Sequence, residues 1–154
     1  MSNVPTWKRK QSEIQYIYDI FLISKHVGRL VHQTARKYRS SYGEKVISLC
    51  ADAMVEAKKL QNYAITDEQI LRKIERIDTC RAIIETCCTT IYIWIEILMD
   101  NDSLDEQTRK KLFDREYTIG DLSDRVIREL NDLKFSLVRT IKDQSLLEKA
   151  IQYC

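Results

Sequence analysis

Three glycines and one proline in 154 residues (Gly28, Gly43, Gly120 and Pro5) leave this chain almost without the residues that let a backbone reverse tightly. Hairpin and sheet connections draw on Gly and Pro for their special φ values, so a sheet-rich domain of this length would need many more. Few reversals mean few, long elements, and helices are the elements that grow long without them. With 44% hydrophobic and 31% charged residues, the composition excludes both a disordered chain and a fibrous repeat. The chain reads as all-α and as a single domain over residues 1–154, long enough to bury its own core.

Apolar spacing places the helices. Ile17, Ile20, Phe21, Val27, Leu30 and Val31 share one face of a helix over residues 11–35. Gly28 lies inside it, at a cost of about 1 kcal/mol relative to Ala, and suggests close approach of another helix. Residues 37–43 (KYRSSYG) read as a polar connection. A second helix is expected over 42–63, with Val46, Leu49, Cys50, Ala53, Met54, Ala57 and Leu60 as its stripe. Thr66-Asp67-Glu68-Gln69 has the form of a capping box and starts a third helix near Asp67, which runs to Met99. Residues 91–97 alternate like a strand, yet no turn residue separates them from the helical pattern upstream, so helix is expected there too.

Ser103-Leu104-Asp105-Glu106 reads as a second capping box. The fourth helix is expected to break near 117–120 and resume at Asp121, with Leu122, Val126, Ile127, Leu130, Leu133, Leu137, Val138 and Ile141 as its apolar face. Residues 143–154 are expected to add a short terminal helix, and residues 1–10 a flexible basic N-terminus. Four principal amphipathic helices with short connections predict an antiparallel up-down-up-down four-helix bundle.

The densest apolar stretch, residues 83–99, is interrupted by Glu85 and Glu96, so no membrane span is expected. Residues 1–10 lack a signal-peptide core, which predicts a cytoplasmic chain. Its five cysteines (Cys50, Cys80, Cys87, Cys88, Cys154) then read as reduced thiols filling a core.

Catalytic motifs are scarce. No Glu-x-x-His pair precedes His26 or His32, and no phosphate loop, nucleophile elbow or His-Glu-x-x-His motif occurs. Cys80, Cys87 and Cys88 with the two histidines permit only an imagined metal site, without the paired spacing of structural zinc. Glu75 and Asp78 match half of the carboxylate quartet of all-α nucleotide pyrophosphohydrolases, but no Glu-x-x-Glu partner lies upstream, and both read as a solvated face. The expectation is a non-enzyme that carries no cofactor and no metal.

Charge is the more informative signal. Residues 1–45 carry nine Lys/Arg against three Asp/Glu, whereas residues 46–102 carry six against ten, within a whole-chain net of +2. The cations Lys8, Arg9, Lys10, Lys25, Arg29, Arg36, Lys37, Arg39 and Lys45 are interleaved with Trp7, Tyr38 and Tyr42, a composition suited to phosphate contact and base stacking. Arg36 and Lys37 also suit the C-terminal dipole of the first helix, and a solvated helix surface needs no ligand to explain them.

The stretch Lys37-Tyr38-Arg39-Ser40-Ser41-Tyr42-Gly43-Glu44-Lys45-Val46, followed by Leu49, Ala53, Met54, Val55, Glu56 and Ala57, resembles the accessory variability determinant family of diversity-generating retroelements. Lys73 to Ile84, with Arg76, Ile77 and Arg81, is similar to that family's Leu/Arg-rich third helix. Related bundles are encoded by intervening sequences in bacterial 23S ribosomal RNA genes. The resemblance spans roughly residues 14–98. It implies a homopentameric barrel of bundles that associates with a reverse transcriptase and with template RNA or cDNA during mutagenic retrohoming. By position, Arg36, Lys37, Arg39 and Lys45 are the implied contact residues, with Arg29, Lys8, Arg9 and Lys10 beside them. The net charge of +2 is lower than is usual in the family. Two other readings stand beside it: a scaffold bundle that contacts protein without nucleic acid, and an unrelated all-α metal or nucleotide enzyme.

Overall fold

The computed structural model describes residues 11–34, 36–101 and 103–153, with side chains from Gln15 onward; Trp7, Lys8, Arg9, Lys10 and Cys154 lie outside the described residues. Five helices account for nearly all of the chain described. They are α1 (Gln11–Gln33), α2 (Glu44–Lys59), α3 (Asp67–Met99), α4 (Glu106–Val138) and the short α5 (Gln144–Gln152). No strand occurs among the described residues.

The α1–α2 connection is not the polar loop expected. A single helical turn, Arg36–Tyr38, runs into a π-helical turn, Arg39–Gly43, whose ring is closed by the Glu44 N–H donating to the Arg39 carbonyl. Nothing there breaks a helix: there is no proline, and Gly43 itself adopts ordinary helical dihedrals. Its missing side chain serves packing, because a Cβ would stand 3.1 Å from Cγ1 of Val31 on α1. Gly28, expected to play that part, has open space around it.

Thr66 starts α3 with both halves of the capping box: the Gln69 N–H donates to Thr66 Oγ1 at 3.2 Å, and the Thr66 N–H to Gln69 Oε1 at 3.2 Å. The 91–97 segment remains helical because Ile91, Trp94, Ile95 and Leu98 fall on the buried side while Tyr92, Ile93, Glu96 and Ile97 face out. By length and composition α3 could cross a bilayer. Here its apolar side is the centre of the core, packed by α2 and α4.

Two expectations for α4 are corrected. Asp105, not Ser103, caps it, accepting from the Thr108 N–H at 2.6 Å. The helix also runs unbroken through Gly120, since Ile119, Leu122, Ser123 and Val126 are all buried there and outweigh the glycine's cost. Arg109 ties the α3–α4 connection with three donations, to the carbonyls of Met99 (2.8 Å), Asn101 (2.9 Å) and Leu104 (3.3 Å).

Each long helix touches two others, α1 with α2 and α4, and α3 with α2 and α4, around one core. Trp94, Ile20, Leu30, Leu60 and Ile77 are among its fully buried members. The fifth helix is more peripheral. With Ile70, Ile74 and Ile141, its Ala150 forms a second, smaller cluster at the end of α3 remote from Trp94.

Candidate nucleic-acid interface

Among the described residues, the cations singled out in the sequence fall into two groups. Arg36, Lys37 and Arg39 sit on the turn between α1 and α2, with Lys45 on the first turn of α2. Arg36, Lys37 and Lys45 are exposed. The Lys37 ammonium lies 4.9 Å from the centre of the Tyr38 ring. Arg39 is less available than expected, because its Nη2 donates to the His32 carbonyl at 3.2 Å and its Nε is buried without a partner. It therefore pins the turn to the end of α1 while offering only part of its guanidinium to solvent.

Arg29 belongs to the second group, on α1. Arg115, which arrives from α4, meets His26 there, with Nη1 at 2.7 Å from Nδ1. Burial pushes the His26 imidazole below its usual value, helped by Arg115, Arg29 and Lys25 in that order. A guanidinium can only donate, so His26 Nδ1 accepts the Arg115 hydrogen bond, within a cluster of cations. Sequence reasoning missed Arg115, whose partner stands 89 positions away. Among the described residues, Arg29, Arg36, Lys37 and Lys45 form no ion pair with a carboxylate.

The expected stacking platform is largely spent on the core. The Tyr42 ring stacks against the buried Trp94 ring, with centroids 6.0 Å apart and planes 11° apart. Tyr38 is half-buried against the same core. Among the described residues, what remains is a set of exposed guanidinium and ammonium groups able to contact phosphate.

Other candidates resolve as structure. Cys50, Cys80 and Cys87 are buried free thiols, with Cys50 Sγ 3.8 Å from Cys87 Sγ, and burial pushes Cys80 up to about 12. Cys88 is a free thiol too, half-buried, donating to Ser123 Oγ at 2.9 Å. Among the described residues, no three His, Cys, Asp or Glu side chains converge as a metal site. Glu75 and Asp78 are not merely solvated: Asp78 accepts from the buried Lys134 ammonium at 2.8 Å, and Glu75 from the Tyr153 hydroxyl at 3.1 Å. Lys134 also donates to the Tyr153 carbonyl, which latches the end of α5 onto α3 and α4.

No family model, no curated protein and no solved structure matches the chain.

Proposed function

We propose that this chain is a non-catalytic accessory protein of a diversity-generating retroelement, binding the reverse transcriptase and template RNA or cDNA. The observation that carries the nucleic-acid part is the set of exposed cations Arg29, Arg36, Lys37 and Lys45, outside any ion pair among the described residues. Exposed like charges repel, and a polyanion relieves that repulsion. The resemblance over residues 14–98 supplies the retroelement and transcriptase part, together with a homopentamer that multiplies the cations.

The same reading takes the fold as an up-down-up-down four-helix bundle with one appended helix. Contacts in opposite numerical order along each packed pair support it: Asp19 with Arg125 and His26 with Arg115 between α1 and α4, Cys50 with Cys87 and Ala53 with Cys80 between α2 and α3, and Asp78 with Lys134 and Cys88 with Ser123 between α3 and α4.

Binding of single-stranded RNA across a salt series, read beside the native mass, tests the proposal. Affinity is expected to fall steeply with salt. Joint replacement of Arg36, Lys37 and Lys45 by Ala should make the slope of log K against log salt shallower by about 2, since each phosphate no longer neutralised takes away about 0.7. Affinity indifferent both to salt and to the triple replacement overturns it. The protein-only scaffold remains the second reading, favoured by an acidic, aromatic groove between α3 and α4; co-purification with the transcriptase after nuclease treatment, free of nucleic acid, would select it.

A further inference from the structure

The α3–α4 face carries an open groove of about 710 Å³ that the basic corner does not explain. Its apolar surface comes from Tyr92, Phe113 and Tyr117, exposed at 56%, 52% and 77%, unusually high for aromatic side chains. Carboxylates complete the lining: Glu96, Asp114, Glu116, Asp121 and Asp124, with no Lys or Arg among the lining residues. Gly120 also lines it, and a Cβ there would touch nothing, so the groove is open at that point.

We propose that this groove is a docking site for an arginine- or lysine-bearing segment of a partner protein. Aromatic faces attract a guanidinium or ammonium through the ring quadrupole, and neighbouring carboxylates complete the pairing. The volume lies in the range that accommodates a few side chains of a bound segment. Charge complementarity selects this occupant, because a lining that carries five carboxylates and no cation repels a phosphate backbone and attracts a guanidinium or ammonium. Burial, followed by the neighbouring Glu96, pushes the Glu116 carboxyl above its usual range, a repulsion that an incoming cation removes. The inference does not depend on nucleic-acid binding: it concerns another face and a protein ligand.

Fluorescence polarisation with the full chain tests it, using a short labelled arginine-rich peptide and a twin with glutamine at each arginine. The arginine peptide should bind at least about tenfold more tightly than its twin, and Tyr117→Ala or joint Glu96→Gln and Glu116→Gln should each weaken it about tenfold. These side chains stand at the surface, and circular dichroism checks that the variants keep their helices. A control with Glu68→Gln and Glu148→Gln, on exposed sites outside the groove, should bind as the parent does. Equal binding of the twins, or equal weakening by the control, overturns the proposal. So does an oligomer that falls apart in Tyr117→Ala, since the groove would then be a contact between copies.

Discussion

Between α1 and α4 the Asp19 carboxylate has no solvent exposure, and Arg125 holds it through Nε at 3.0 Å and Nη2 at 2.7 Å while Gln15 donates at 3.1 Å. Glu129 shares this site. Burial and the adjacent Asp19 push its carboxyl up to about 8, against the pull of Arg125 and Arg128, and its Oε2 is buried without a partner. At neutral pH the folded chain therefore keeps a proton that the unfolded chain has released. An acid whose folded value is raised stabilises fully below its unfolded value and loses that contribution as pH rises through the folded one. Thermal stability is expected to fall by about 1–2 kcal/mol from pH 5 to pH 8, most of the nominal shift being discounted for solvent screening. Glu129→Gln, which stays neutral, should flatten that dependence; an unchanged slope in a thermal melt series would refute the assignment. None of this was legible in the sequence, where Glu129 is one acid among 23. The same blindness hid Arg115 beside His26, because pairings across helices leave no local spacing to recognise.

At the level of elements, the turn between α1 and α2 shows how much one missing atom decides. Gly43 is helical, so its value is space, and Val31 occupies that space. Gly43→Ala gains up to about 1 kcal/mol of helix propensity but forces a β-branched side chain with a stiff χ1 to move in a packed core. Overpacking costs about 1–3 kcal/mol, so a net loss of about 1 kcal/mol is expected in chemical denaturation. In a Val31→Ala background the Gly43→Ala cost should vanish; equal costs in both backgrounds would exclude the contact as its cause. Other element-scale features were readable. The α3 start at Asp67 followed from the Thr66–Gln69 pair, since a capping box is wholly local, and the α2 stripe followed from its period. The unbroken α4 did not, because the burial that carries it past Gly120 is supplied by other helices.

Across the whole molecule, a core shared by four helices and a lesser cluster under α5 divide the stability unequally. Removing residues 143–154 uncovers Ile70, Ile74 and Ile141 and frees Lys134 from Tyr153, without touching the large core or the α1–α2 corner. A loss of about 2–4 kcal/mol is expected, from two or so apolar side chains returned to water, with helical circular dichroism retained in proportion to length. RNA affinity should be unchanged; a truncated chain that no longer folds would show that the lesser cluster is part of one indivisible unit. By itself the sequence determined the helical class, the number of long helices and most of the inward stripes, because period, caps and the lack of turn residues are written within a few positions of one another; Phe21, expected on the inner face of α1, is instead exposed. Tertiary structure alone decided that Tyr42 stacks in the core, that Arg39 pins a turn and Arg115 joins His26, and that aromatics and carboxylates meet in one groove. Those outcomes depend on which helix faces which, a choice made by packing between segments that are distant along the chain.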